Sequence, residues 1–188
     1  MPVALAPRTT SWCGQFDGVC TGQFWLALLD AVKAAKSTIR LQALSYELIG
    51  YDKVEWHDLD DALRAAAARG VKVELLVADW SKSGNKLASV QGLATVPGVT
   101  VKFVDIPQPP DQFIDFARVV HAKYVTVDGA WSWIGTSNFG RDYFYESRDL
   151  ALVVRGAPVA AELEHFFDSL WTSSYVETVD PTRTDYKA

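Results

Sequence analysis

The order of apolar and polar residues along the chain follows two periods, one typical of helices and one of strands. Apolar positions three and four residues apart predict helices over residues 22–36, 58–69, a short stretch ending near 94, and 158–171. Alternating positions predict strands at residues 39–46, 71–77, 99–104, 119–127, 131–136 and 149–154. Helices that alternate with strands are typical of helix layers packed on a sheet. The predicted fold class is α/β, an α/β/α sandwich around a mixed β-sheet.

The chain divides into a short arm and one domain. Residues 1–21 are rich in Pro, Gly, Ser and Thr, which predicts an N-terminal arm or loop. Residues 22–188 are expected to form a single domain, because this length can bury one hydrophobic core. Within that domain, residues 106–116 hold three prolines and are expected to form a loop near the site described below.

Two apolar runs flank the dipeptide Asp128-Gly129, which is a strong signal for a tight hairpin. If the loop consists of these two residues, Lys123 lies opposite Ile134. Opposed residues share a face of the sheet, and each strand has a period of two. We therefore expect four polar side chains to converge on one face, namely His121, Lys123, Thr136 and Asn138.

This cluster suits a phosphodiester substrate. Lys123 brings a positive charge to phosphoryl oxygens, and Thr136 and Asn138 can donate hydrogen bonds to the same oxygens. The imidazole of His121 can attack phosphorus or protonate a leaving oxygen, because its pKa lies near neutrality. The pattern thus predicts a site for cleaving phosphodiesters.

The residues around the cluster have expected roles of their own. A carboxylate can hold the second ring nitrogen of the histidine and fix its tautomer, and Asp149 and Glu146 are both candidates for this role. Asp128 is expected mainly to form the turn before Gly129. Gly135 lacks a side chain, which lets a ligand or a backbone segment approach closely.

Composition restricts the class of partner. Hydrophobic residues make up 49% of the 188 residues and charged residues 22%, as in globular domains. The net charge of −5 argues against a nucleic-acid-binding surface over the whole molecule and leaves room only for a local basic patch. The aromatic pair Trp131 and Trp133 is expected to face away from the site and to pack in the core.

Cysteine usage and hydropathy bear on the compartment. Cys13 and Cys20 could form a small-loop disulfide or stay free, and a zinc site there is disfavoured because no histidine or second cysteine pair lies nearby. The chain contains no run of about 18 apolar residues, so no transmembrane helix is predicted. Its first residues lack the pattern of a signal peptide. We expect a cytoplasmic chain as given, or an exported one if it is a fragment of a longer protein.

The spacing of the cluster resembles the signature of the phospholipase D superfamily, His-x-Lys-x4-Asp-x6-Gly-[Gly/Ser/Thr]-x-Asn. The chain matches it at every fixed position, with His121, Lys123, Asp128, Gly135, Thr136 and Asn138. Residues 58–80 and 118–146 look like the second half of the 5′-exonuclease branch of that superfamily. The resemblance extends loosely over residues 5–176.

The resemblance implies a mechanism and a set of site residues. Two His-x-Lys motifs build one active site in this superfamily, one histidine forms a covalent phosphohistidine, and the other acts as general acid and then general base. No metal ion or other cofactor is expected. The expected catalytic residues are His121, Lys123, Asn138 and Asp149. The residues expected around the substrate are Thr136, Ser137 and Glu146.

The chain departs from the two-motif pattern in its histidine count. Of its three histidines, only His121 begins a His-x-Lys sequence, whereas His57 and His165 do not. The second half is therefore expected from a homodimer or from a separate chain. The expected substrate is a nucleic acid end or a phospholipid headgroup. The alternative is a non-catalytic or regulatory half-domain that needs a different partner subunit.

Overall fold

A seven-stranded mixed sheet organises the molecule, and the computed structural model describes residues 21–187. The strands are β1 (Thr38–Ala43), β2 (Lys72–Ala78), β3 (Val99–Val104), β4 (Lys123–Val127), β5 (Trp131–Gly135), β6 (Ala151–Arg155) and β7 (Val176–Thr178). Their order across the sheet is β6-β5-β4-β1-β2-β3-β7. Strands β1, β2 and β3 run parallel, and β4 runs antiparallel to β1.

Helices cover both faces of the sheet. They are α1 (Thr21–Ala34), α2 (Asp58–Ala68), α3 (Gly84–Ala94), α4 (Arg141–Tyr145) and α5 (Ala157–Trp171). The larger core cluster joins side chains of α1 to α4 with one face of the strands, including Leu41, Leu75 and Trp133. The smaller cluster packs α5, through Phe167, against the opposite face at Tyr124. The predicted α/β/α sandwich around a mixed sheet is confirmed.

Strand direction brings the site residues to one edge of the sheet. The carboxyl ends of β1, β2 and β3 point to the same edge because these strands are parallel. Strand β4 is antiparallel to β1, so its first residue, Lys123, lies at that edge too. Strand β5 returns to this edge at Gly135. Ligands bind outside the carboxyl ends of strands in open α/β sheets, and the described residues place the His-x-Lys motif there.

The predicted hairpin register is wrong by one residue. Lys123 pairs with Gly135 rather than with Ile134, and Val127 pairs with Trp131. The loop therefore has three residues. Its first two, Asp128 and Gly129, do adopt the positive φ values of 53° and 63° that a two-residue turn requires.

The third loop residue, Ala130, causes the shift in register. Its N–H donates to the carbonyl of Val127, as in a tight turn. Its own carbonyl accepts a hydrogen bond from the N–H of Gly156 at the end of β6, 2.7 Å away, so Ala130 does not join the β4–β5 ladder. As a consequence, Trp133 lies on the same face as Lys123, not on the opposite face as expected. It does fill the core, with none of its surface exposed.

Several predicted boundaries also move. Strand β4 begins at Lys123, so His121 precedes the strand and does not belong to it, contrary to the prediction for residues 119–127. The short helix α4 and the edge strand β7 were not predicted, because each is too short to show a period. The predicted arm, with Cys13 and Cys20, lies outside the described residues apart from Thr21, the first residue of α1. No helix within residues 21–187 is both long and apolar enough to cross a membrane.

Candidate active site at the carboxyl edge of the sheet

His121 and Lys123 form the centre of the candidate site. The imidazole is exposed at the end of a loop, whereas the Lys123 side chain is buried at the start of β4. The Lys123 amine nitrogen lies 3.0 Å from Nδ1 and 2.9 Å from Nε2 of His121. The structure thus brings His121 and Lys123 together, although only Lys123 belongs to a strand. In the observed register Gly135, rather than Thr136 as expected, shares the face of Lys123.

Both basic groups have pKa values below their ordinary ones. Although the His121 side chain is exposed, partial desolvation lowers its pKa, and the positive charge of Lys123 lowers it further. Burial also lowers the pKa of Lys123, while the negative charge of Asp149 acts in the opposite direction. The neutral imidazole, which is the nucleophilic form, is thus favoured at this position.

Asp149 contacts Thr136 rather than the histidine. The Thr136 hydroxyl donates to Oδ1 of Asp149 over 2.5 Å, and it accepts a hydrogen bond from the N–H of Leu150 over 3.2 Å. A hydroxyl has one hydrogen to donate. With that hydrogen bound to Asp149, Thr136 has none for a phosphoryl oxygen, so its expected contact with the substrate would require a change of partner.

Asn138 lies buried beside the carboxyl end of β1. Its side-chain oxygen accepts a hydrogen bond from the N–H of Leu44 over 3.1 Å. This bond fixes the orientation of the carboxamide, because it identifies which end is the acceptor. The amide nitrogen, which can only donate, is then the end suited to an anionic ligand.

The carboxylate of Asp128 is occupied by the loop that precedes β1. It accepts hydrogen bonds from the backbone N–H groups of Lys36, Ser37 and Thr38 and from the Ser37 hydroxyl, at 2.8–3.2 Å. Burial would raise the pKa of Asp128, but these hydrogen bonds hold it below its ordinary value. Its position in the motif is explained by this structural contact at the far end of the hairpin.

Gly135 makes room for an aromatic ring. A Cβ added at this position would lie 2.7 Å from Cζ2 and 3.0 Å from Cζ3 of Trp133, so the indole occupies the space that a side chain would need. The sequence interpretation expected that space to serve a ligand or a backbone segment. In this fold it serves core packing, although Gly135 also borders the cavity described below.

Two of the residues expected around the substrate have other surroundings. Ser137 is buried, only 2% exposed, and does not line the cavity that contains His121. Glu146 is exposed and pairs with Arg141 over 3.1 Å. Among the described residues, neither Glu146 nor Asp149 is within hydrogen-bond distance of the His121 ring, so the orienting acid stays a prediction.

The other two histidines lie apart from the site. His165 is exposed on α5. His57 lies 2.9 Å from a carboxylate oxygen of Glu55. Neither residue lines the cavity that contains His121.

One group among the described residues has a geometry that could hold a metal ion, with ligand atoms within 4.8 Å of one another: His57, Asp60 and Asp61. Asp60 is already occupied, because it accepts a hydrogen bond from the Tyr46 hydroxyl over 2.7 Å and forms an ion pair with Arg64. These contacts explain the acidic group as part of the packing of α2. It does not extend the phosphodiester site.

A cavity of about 370 Å³ opens beside His121 and Lys123. Its walls combine polar residues of the motif with apolar residues of β5 and α5: His121, Ala122, Lys123, Tyr124, Ile134, Gly135, Thr136, Leu163 and Phe166. Sequence reasoning missed the contribution of α5, because the apolar positions of an amphipathic helix predict core packing and carry no sign of a cavity.

This arrangement agrees with the comparison to protein families. The chain matches the family model described as cardiolipin synthase, PLD-like domain, over residues 28–171. The chain belongs to the phospholipase D-like family. The resemblance inferred from the His-x-Lys motif is therefore confirmed.

Curated relatives of this phospholipase D-like chain are longer than the chain itself. It is 35% identical over 170 residues to the 5'-3' exonuclease PLD3 of Bos taurus, a match that covers 82% of this chain and 34% of the relative. It is 32% identical over 155 residues to Phospholipase D Z of Dictyostelium discoideum, covering 79% of this chain and 36% of the relative. The chain thus spans only about a third of the length of these relatives.

Solved structures of similar size share the fold. NucT from Helicobacter pylori superposes with a TM-score of 0.69 at 14% identity, covering 81% of this chain and 90% of the other. Nuc from Salmonella typhimurium, a phospholipase D family member, superposes with a TM-score of 0.66 at 21% identity, covering 82% and 90%. At these identities the likeness shows a common fold.

Proposed function

We propose that this phospholipase D-like chain supplies one half of a phosphodiesterase active site. The observation that carries the proposal is the pairing of His121 with Lys123 in an open cavity at the carboxyl edge of the sheet. A neutral imidazole beside a buried ammonium group is suited to attack a phosphorus atom whose oxygens the ammonium group binds.

The proposed reaction has two steps. A ring nitrogen of His121, or of its counterpart in the second half, attacks phosphorus, and a nitrogen–phosphorus bond replaces the bond to the leaving oxygen. The other histidine gives its proton to that oxygen. It then takes a proton from a water molecule, which attacks the phosphohistidine and releases the phosphate product. These residues supply the nucleophile, the acid and the base, so we propose a reaction that is independent of metal ions.

The neighbouring polar groups support this reaction. Lys123 and the amide nitrogen of Asn138 bind the non-bridging oxygens and stabilise the charge that develops on them. The negative charge of Asp149 raises the pKa of Lys123 and so favours the charged form of the lysine. Asp149 also holds Thr136 at the rim of the cavity. We therefore assign Asp149 to positioning rather than to direct proton transfer.

A second His-x-Lys half completes the proposed site. A second copy of the chain can supply it across a twofold axis, where each residue of the interface meets its counterpart in the other subunit. A separate chain can supply it instead. The mass of the purified chain in solution distinguishes the two arrangements.

The proposed substrate is a nucleic acid with a single-stranded end. Several curated relatives carry the name 5'-3' exonuclease, and this supports the choice over a phospholipid headgroup. The net charge of −5 disfavours contacts along a long duplex, because that kind of affinity depends on the number of phosphates neutralised. A short end in a narrow cavity needs fewer such contacts.

The test is hydrolysis of bis(p-nitrophenyl) phosphate by the purified chain in EDTA. We expect turnover that His121→Ala abolishes while the circular dichroism spectrum is unchanged, because His121 is exposed and contributes nothing to the core. His165→Ala is the matched control, an exposed histidine outside the cavity, and it should retain activity.

Other results would change the proposal. Substantial activity in His121→Ala would contradict the mechanism, and a strict need for a divalent ion would contradict independence of metals. A folded chain that is inactive alone would favour the alternative, a half-domain that depends on a different partner subunit.

A further inference from the structure

The residues that line the cavity beside His121 fall into two chemically different groups, which we call its polar end and its apolar end. The polar end carries His121, Lys123 and Thr136, and the proposed function places the scissile phosphate there. The other end is formed by side chains without charge, from Ile134 on β5 and from Leu163 and Phe166 on α5. A substrate held by its phosphate at the polar end would therefore extend one ester group over an apolar surface.

Phe166 is the unusual member of the apolar end. Its side chain is 48% exposed, whereas the next residue, Phe167, is fully buried and anchors α5 to the sheet. Core packing of the helix thus explains Phe167, whereas Phe166 is half exposed and lines the cavity. A single exposed phenylalanine is common on protein surfaces, but this one lies in the same cavity as the catalytic histidine.

A second aromatic ring lies behind Phe166. The ring centroids of Tyr124 and Phe166 are 6.2 Å apart, and their planes are tilted by 54°. The Tyr124 hydroxyl donates to Gln42 over 2.9 Å, which fixes the buried ring. The ring of Phe166 thus has a fixed aromatic neighbour, and a planar ligand can stack on its exposed surface.

We infer that the apolar end binds a planar ring carried by an ester group of the phosphodiester, a nucleobase in the case of a nucleic acid. This inference rests on the proposed function and names a subsite for its substrate. Stacking on aromatic side chains is tolerant of base identity and requires no counter-charge. The volume of about 370 Å³ is near the lower end of the range for ligand sites. It suits one ring with its sugar better than two long acyl chains.

The test compares the binding of phenyl phosphate and methyl phosphate to the purified chain by calorimetric titration. Both probes carry the same phosphate group and differ in the ring. We expect phenyl phosphate to bind about tenfold more tightly, the effect of one stacked ring. Phe166→Ala should remove this preference and leave the affinity for methyl phosphate unchanged. Lys123→Ala should weaken the binding of both probes to the same extent.

Two controls separate stacking from general apolar contact. Val159→Ala changes an exposed residue of the same helix outside the cavity and should keep the preference. Hexyl phosphate carries an apolar chain without a ring and should bind less tightly than phenyl phosphate. In Phe166→Leu, which retains an apolar side chain, hexyl phosphate and phenyl phosphate should bind with equal affinity.

Three results would overturn the inference. The first is equal binding of phenyl and methyl phosphate by the unmodified chain, and the second is hexyl phosphate binding as tightly as phenyl phosphate. The third is a change of solution mass in Phe166→Ala, which would make this surface a subunit interface. Failure of the proposed function has a different signature, namely absence of hydrolysis with the ring preference intact.

Discussion

The proximity of His121 and Lys123 has a consequence for proton binding. The imidazolium form of His121 is disfavoured first by burial and then by the positive charge of Lys123, so the pKa of the histidine is lowered in the folded protein. A lowered pKa keeps the ring neutral to a lower pH. The nucleophilic form is therefore available over a wider range on the acidic side than for an isolated histidine.

Lys123→Met should raise the pKa of His121, because it removes the neighbouring charge while retaining an unbranched side chain. Titration of the His121 ring protons by NMR measures this change directly and does not require turnover. The signals that disappear in His121→Ala identify the His121 ring, and His165→Ala should leave the His121 titration in place. A pKa that stays the same or falls in Lys123→Met would show that the lysine charge does not control the histidine.

Asp128 is the motif residue whose contacts are clearest. Its carboxylate collects the backbone N–H groups that precede β1, and so it joins the hairpin to the start of the central strand. Hydrogen bonds to a charged group are stronger than neutral ones. The role of Asp128 as the turn residue is supported by these contacts, and its place in the motif follows from the architecture of the sheet.

Asp128→Asn should lower the free energy of unfolding by about 1–2 kcal/mol at neutral pH. Asparagine tolerates a positive φ, so the change removes charge without backbone strain. Because the pKa of Asp128 is lowered on folding, its contribution is present above the unfolded-state pKa and is lost as the pH falls through the folded-state pKa. Urea unfolding should therefore show a difference in unfolding free energy between the variant and the unmodified protein at neutral pH, and little difference in strong acid. An equal difference at neutral and at acidic pH would contradict the role of the charge.

The hairpin of β4 and β5 joins the site to the core. Trp133 lies fully buried beneath the hairpin, and its indole extends over Gly135 on the same face. This contact holds the end of β5 where it meets Lys123. The glycine of the motif is therefore required by the packing of the hairpin that presents Lys123.

Gly135→Ala should destabilise the fold by about 1–3 kcal/mol, the usual cost of overpacking a core. Thermal unfolding with tryptophan fluorescence as the signal measures this loss. Gly92→Ala on α3 is the control: its new Cβ would meet only the Arg64 guanidinium at 3.7 Å, and alanine favours a helix by about 1 kcal/mol. Equal stability of both variants would mean that the indole can move aside.

Assembly decides whether the chain is active by itself. If two copies form the site across a twofold axis, each site contains two His121 side chains. When unmodified protein is mixed with His121→Ala, activity should then be proportional to the square of the unmodified fraction. The reason is that mixed dimers lack one of the two histidines. Mixtures with His165→Ala should show no loss. A linear decrease would indicate that one His121 is sufficient for each site.

The local sequence pattern determined most of the elements and indicated the two residues that meet at the candidate site, His121 and Lys123. Apolar periods of two and of 3.6 depend only on neighbouring residues, and so the sandwich and most of its strands could be predicted. The spacing of His121 and Lys123 is likewise local. The positive φ values at Asp128 and Gly129 followed from their residue types.

Long-range contacts decided the rest. The register of the hairpin depends on Ala130, whose carbonyl is bound by Gly156 at the end of another strand. The partner of Asp149 is Thr136 and not the histidine, because folding brings those two groups within 2.5 Å. Phe166 lines the same cavity as His121 only because α5 packs beside β4. No local pattern encodes these contacts, since each joins side chains or backbone groups that are distant in sequence and depends on how whole elements pack.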